Sequence, residues 1–101
     1  MPKITSKINI NSQEFAENAA HMHAQVDDLN RLVSQLAQGG GEKARKRHTD
    51  RGKLLPRDRI NALIDKNSAF LELSQLAGWE VYDDYVPCAG VVAGIGKVSG
   101  I

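Results

Sequence analysis

Cysteine is almost missing from this chain. Cys88 stands alone among 101 residues, so no internal disulfide can form, and a reducing compartment is expected. Long apolar runs are missing too. None approaches the ~20 residues that span a bilayer, which excludes a membrane-crossing helix. The opening MPKITSKINI lacks the apolar core of a secretory signal and the arginines of a mitochondrial leader, so a cytoplasmic protein is expected. Phosphate-binding glycine loops are absent as well. The stretch GVVAGIGKVSG spaces its glycines as G-x-x-x-G-x-G-x-x-x-G, whereas a dinucleotide loop needs G-x-G-x-x-G opening a helix, so a packed strand is the better reading.

The usual catalytic constellations are equally scarce. His21 and His23 lie two apart on an expected helix and point to different faces, so they cannot share a metal. His48 stands alone in basic company, and no metal site is expected. Cys88 has no histidine base near it in sequence and reads as a small packed thiol. Asp83 and Asp84 sit in an aromatic loop and read as solvated. No nucleophile–base pair can be assigned, and the catalytic set is empty.

What the chain does have is a concentration of positive charge. The net charge is +1, yet residues 42–59 alone carry eight basic and three acidic side chains. Residues 1–41 are net −1 and residues 60–101 net −3. The block comprises Lys43, Arg45, Lys46, Arg47, Arg51, Lys53, Arg57 and Arg59, interleaved with Glu42, Asp50 and Asp58. Three readings stay open: a solvated or subunit-facing strip, a phosphate-bearing small ligand held by Arg forks, or nucleic acid. A pI of about 7.9 and the lack of aromatic residues within the block weigh against nucleic acid.

The fold class expected is α/β, a mixed α+β arrangement in which N-terminal helices lead into the first strands of a sheet. Asn11 followed by Glu14 resembles a capping box and starts a helix. Phe15, Ala19, Met22, Val26, Leu29, Val33 and Leu36 then recur in steps of four and three, a heptad seam ended by Gly39, Gly40 and Gly41. The flanking positions lack the paired charges of a free-standing coil, so the seam is expected to pack against its own protein or a neighbouring subunit. EKARKRHTDR up to Gly52 reads as a short charged helix. Pro56 and Asp58 suit the first turn of a third, with Ile60, Leu63 and Ile64 on one face. Asp65-Lys66-Asn67-Ser68 is turn chemistry. Residues 70–73 form a short apolar element, strand or helix. Residues 90–101 read as a strand with small residues on one face, suited to close packing of another backbone or sheet. The divisions are an arm at 1–11, the long helix at 12–38, a basic helical segment at 39–68 and the start of a further domain at 69–101.

The stretches GGGEKARKRHTDRGKLLPRDRINALID (39–65) and FLELSQLAGWEVYDDYVPCAGVVAGIGKVSG (70–100) resemble biotin-dependent acyl-CoA carboxylase β subunits, the carboxyltransferase component, and most of all the methylcrotonyl-CoA type. The resemblance implies a crotonase-like carboxyltransferase domain, present here as a truncated N-terminal fragment. It implies transfer of a carboxyl group from carboxybiotin, supplied by a biotin-carrying α subunit, to 3-methylcrotonyl-CoA in leucine breakdown, within a β-subunit hexamer. Geranyl-CoA or propionyl-CoA are the alternative substrates. The family's oxyanion donors lie later in its sequence, so the fragment itself would be inactive. Arg45, Arg47 and Arg51 are the candidates for CoA phosphates, or else for a subunit contact. The compartment implied is the bacterial cytoplasm, or the mitochondrial matrix in a eukaryote. The rival from another class is a stand-alone helical module presenting its basic patch to nucleic acid.

Overall fold

The computed structural model describes all residues, Met1–Ile101. Its elements in chain order are α1 (Gln13–Ala37), α2 (Glu42–Thr49), α3 (Pro56–Leu63), β1 (Phe70–Leu73), a 3₁₀ turn (Pro87–Gly90) and β2 (Ala93–Gly96). Contacts divide the chain into two units, Met1–Arg31 and Leu32–Ile101. The dividing point falls inside α1, whereas the sequence placed divisions near the helix ends. The reason lies in the side chains: every residue from Ala20 to Arg31 is exposed, whereas Leu36 is fully buried.

In the first unit, α1 is started by Ser12 rather than by the expected Asn11–Glu14 box. Ser12 Oγ accepts the Phe15 N–H at 3.1 Å and donates to the Asn9 carbonyl at 2.8 Å. Asn11 is used outside the helix, its N–H bonded to Asn9 Oδ1 at 3.0 Å. A Ser hydroxyl reaching the third helical N–H is ordinary capping geometry, and Asn9 supplies the turn that presents it. Along the seam, Phe15, Met22, Val26 and Leu29 are all exposed.

The second unit begins with the last turn and a half of α1. Leu32 and Val33 are half-buried, and Leu36 is 1% exposed. The helix tightens as it ends: Gln38 N–H bonds the Gln35 carbonyl and Gly39 N–H the Leu36 carbonyl, with Gly39 at φ +80°. That left-handed conformation is one a Cβ would strain. α2 ends in the same manner at Gly52, φ +73°, whose N–H bonds the Thr49 carbonyl. α3 has Pro56 at its first position and Asp58 in its first turn. Proline loses nothing there because that N–H has no helical partner.

β1 and β2 pair antiparallel, with Phe70 opposite Gly96, Leu71 opposite Ile95, Glu72 opposite Gly94 and Leu73 opposite Ala93. Phe70, Glu72, Gly94 and Gly96 therefore share one face, and Leu71, Leu73, Ala93 and Ile95 the other. Gly94 makes room for both a side chain and the backbone of the paired strand, the close approach expected from the sequence, whereas Gly96 makes room for side chains alone. A Cβ on Gly94 would collide with the Phe70 ring and come 2.6 Å from the Leu71 carbonyl oxygen. One on Gly96 would lie 2.9 Å from Ile64 Cγ2. Because the first collision includes backbone, Gly94→Ala is expected to cost about 2 kcal/mol by overpacking. Paired Gly94→Ala and Phe70→Leu/Gly94→Ala variants check it: thermal melting should show the loss in both, and full recovery by Phe70→Leu would refute the backbone part.

The strand expected over residues 90–101 is shorter, because Ser99 and Gly100 both take positive φ, 53° and 82°. Val98 and Ile101 exchange both N–H···O bonds across them, at 2.9 and 3.2 Å, the pattern of a type I′ hairpin turn. Asp65 holds that turn. Its carboxylate accepts the Ser99 and Gly100 N–H groups at 2.6 and 2.8 Å, while its own N–H bonds the Lys97 carbonyl at 2.8 Å. Between the strands, Ala89 N–H bonds the Ala77 carbonyl at 2.7 Å, and Trp79 meets Tyr85 edge-on at 6.4 Å.

The chain exposes 8710 Å². A compact folded chain of its 11.0 kDa would expose roughly 5,600 Å². Only Leu36 and Cys88 are buried hydrophobics. Most of its large apolar side chains are thus exposed within this chain.

Candidate functional site

Arg57, in the first turn of α3, is the centre of the second unit. Its Nε donates to Glu72 Oε2 at 3.0 Å and its Nη2 to Glu72 Oε1, a two-pronged carboxylate contact. Nη2 also reaches Cys88 Sγ at 3.1 Å. Nη1 donates to the Ala37 carbonyl at 2.9 Å and the Leu36 carbonyl at 3.4 Å. The fixed fork of five N–H donors is thereby fully used; the Ala37 carbonyl, left open by the end of α1, is capped, and the Leu36 carbonyl gains a second donor beside the Gly39 N–H. The Cys88 thiol also donates to the Gln75 carbonyl at 3.3 Å. Arg57 and Glu72 side chains are 21% and 10% exposed, so their contact is largely shielded from water. The hydrogen bond from Arg57 holds the Glu72 carboxyl below the usual carboxylate range, against burial, which pushes it up.

Reaching this arrangement takes unusual backbone. Cys88 and Ala89 are both left-handed, at φ 55° and 50°, followed by Gly90 at φ 77°. Such residues persist only where their surroundings over-determine them. Here the Ala89–Ala77 hydrogen bond and the thiol's contact with Arg57 do so.

The sequence candidates lie elsewhere. Arg45 is half-buried and donates from Nη1 to the Gly40 carbonyl at 2.7 Å, closing the α1–α2 link. Arg47 is exposed on α2, and two residues apart on a helix it faces away from Arg45. Arg51 is exposed in the turn after α2. Of the three, only Arg45 has a donor committed to the protein. Lys46 is paired with Asp50 at 2.8 Å, and His48 Nε2 donates to the Leu54 carbonyl at 3.0 Å. No group of three His, Cys, Asp or Glu side chains is placed to hold a metal ion, and no helix is long and apolar enough to cross a membrane.

Sequence reasoning counted Arg57 as one of eight basic residues and did not single out Glu72. One signal was available: Phe70 and Glu72 share a strand face, and a carboxylate on an inward face needs a cation. Nothing local said which of eight cations it would be.

The residues that build the cluster fall inside a recognisable stretch. Residues 47–101 match the family model described as the carboxyl transferase domain. The chain belongs to that family. It is 52% identical over 96 residues to a probable methylcrotonoyl-CoA carboxylase beta chain of Drosophila melanogaster, covering 94% of this chain and 17% of that one. It is 53% identical over 75 residues to a biotin-dependent 3-methylcrotonyl-coenzyme A carboxylase beta1 subunit of Mycobacterium tuberculosis, covering 74% and 14%. The solved beta subunit of Pseudomonas aeruginosa geranyl-CoA carboxylase superposes with a TM-score of 0.81 at 36% identity, over 99% of this chain and 18% of that one. The fold is therefore that of a section of a crotonase-like carboxyltransferase subunit, and the chain spans about a sixth of the length of the relatives it matches.

Proposed function

We propose that this chain is an N-terminal section of the carboxyltransferase β subunit of a biotin-dependent acyl-CoA carboxylase, with 3-methylcrotonyl-CoA as substrate. The supporting observation is the 44–53% identity to methylcrotonoyl-CoA carboxylase beta chains from a fly, a plant and a mycobacterium. On this reading the carboxyl group comes from carboxybiotin on an α subunit, and β subunits assemble as a hexamer. The compartment is the cytoplasm of a bacterium or the mitochondrial matrix of a eukaryote. Biotin chemistry belongs to the rest of the subunit, because the donors of the Arg57 cluster are all spent on protein acceptors. The chain's own work is to cap α1 and set β1 and β2, the first strands of the carboxyltransferase sheet.

A second reading, geranyl-CoA, is favoured by the structural match at TM-score 0.81. The complete β subunit, assembled with its α subunit, should carboxylate 3-methylcrotonyl-CoA with higher kcat/KM than geranyl-CoA or propionyl-CoA. The reverse ranking, or turnover by the 101-residue chain alone, would overturn the proposal.

A further inference from the structure

Two exposed surfaces of opposite sign lie on the second unit, and neither is neutralised within it. The first is an unpartnered face of α2. Lys43, Arg47 and Arg51 recur in steps of four, the spacing that stacks one side chain beside the next on a helix surface. Arg51 stands just past the helix end, its N–H bonded to the His48 carbonyl at 3.3 Å. All three side chains are exposed. The adjoining stripe neutralises itself, since Lys46 pairs with Asp50. The ion pairs of the chain join Arg31 to Asp28, Lys46 to Asp50 and Arg57 to Glu72, so Lys43, Arg47 and Arg51 have no partner. Like charges at this spacing repel one another, a cost that an opposite surface removes.

The second surface is the loop of residues 79–86, which holds the one Trp and both Tyr residues of the chain. Trp79, Tyr82 and Tyr85 line a hollow of about 220 Å³ together with Glu80, Asp83 and Asp84, and no cation lines it. Trp79 and Tyr85 fix one another by their edge-on contact, while Val81 and Tyr82 are 67% and 64% exposed. None of the three carboxylates has an ion-pair partner. Aromatic faces beside carboxylates suit arginine above other side chains, because the ring takes the flat guanidinium and the carboxylate takes its fork. Tyr and Trp are also the residues that most often anchor contacts between proteins.

We infer that the basic face of α2 docks on the aromatic, acidic loop of a second copy of this chain, Arg47 and Arg51 supplying the forks and Lys43 a point charge. Three cations then meet three carboxylates, a match in number as well as in sign. Both sets belong to the unit Leu32–Ile101, yet within one chain they form no ion pair with each other, and a second copy presents each with its complement. The contact joins unlike surfaces head to tail, the kind that repeats around a ring. It rests on the reading that β subunits assemble with one another, and it is independent of which acyl-CoA they carboxylate.

The test uses the complete β subunit and reads its dissociation constant by sedimentation over a dilution series. Arg47→Glu/Arg51→Glu makes both surfaces net acidic, and Asp83→Lys/Asp84→Lys makes both net basic. Each variant alone should raise the dissociation constant by about tenfold or more. All four changes in one chain should return it close to the wild-type value, because the charges are exchanged and still opposite. An equimolar mixture of the two double variants should recover part of the loss, since each finds its complement only on the other. Unchanged dissociation in both double variants would overturn the inference. Recovery by the fourfold variant with none in the mixture would also overturn it, by placing both surfaces within one subunit. A loss that neither combination recovers would overturn it by giving the two surfaces different partners. A wild type that stays monomeric at every concentration would sink the assembly reading itself, whereas assembly that ignores every variant sinks the contact alone.

Discussion

Replacing Arg57 by methionine is expected to destabilise the second unit by about 3 kcal/mol, the scale for removing one partner of a shielded ion pair. Three losses combine. The Glu72 carboxylate, 10% exposed, is left without a counter-charge. The Ala37 carbonyl loses its donor, the Leu36 carbonyl keeps only the Gly39 N–H, and the Cys88 thiol loses a contact. Hydrogen exchange at the amides of β1 and β2, measured in the complete subunit, should accelerate by about a hundredfold. Arg57→Lys should restore little, since three rotatable donors on a point charge cannot reproduce a planar five-donor fork. Arg57→Met/Glu72→Leu should recover much of the loss, because an apolar pair leaves no buried charge unpaired.

Acid gives an independent check. The Glu72 pKa is depressed in the folded state by its hydrogen bond from Arg57. Its contribution is therefore fully present above the unfolded carboxyl value, about 4.3, and is lost as pH falls through the lower folded value. Wild-type exchange protection in this unit should decline over that acid range, and Glu72→Gln should flatten the decline. Identical acid profiles for the two proteins would show that the ion pair contributes nothing.

Leu36→Ala is expected to cost about 3 kcal/mol, since Leu36 is the one large side chain buried to 1% exposure and its removal leaves a cavity. The rest of the seam behaves differently. Leu29 is 45% exposed within this chain, so a truncation there has little to lose until other protein covers it. In the complete, assembled subunit, Leu29→Ala and Val33→Ala should each cost on the order of 1–4 kcal/mol. Melting and sedimentation of the three variants decide the matter. A Leu29→Ala protein that melts and assembles as the wild type does would mean that the seam stays in water throughout.

How much of this was legible depended on the range of the interaction. The heptad seam and the Pro56 helix start are local patterns, and the structure places α1 and α3 where they indicate. The cap slipped by one residue because Asn11 and Ser12 are both good caps, and only the turn from Asn9 favours Ser12. The strand at 90–101 was over-extended because alternation counted Val98 and Ile101 as strand partners. They are partners of each other, across a Ser-Gly turn held by Asp65, 34 and 35 residues away from the two N–H groups it accepts. Gly94 and Gly96 announced a close approach, but the Phe70 ring that fills the space is set by strand register, which sequence spacing does not carry. The Arg57 cluster was hidden for the same reason.

The separation between Arg57 and Cys88, 31 residues, also sets a delay during synthesis. At about 5–20 residues per second the ribosome needs roughly 2–6 s to add them. Until Cys88 follows them, the guanidinium and the Glu72 carboxylate are charged groups that water or each other can satisfy. An apolar nucleus held open for as long would offer a sticky surface to neighbouring nascent chains. A polar one does not, so the last contacts of this unit can wait for their final partner without drawing the wrong one.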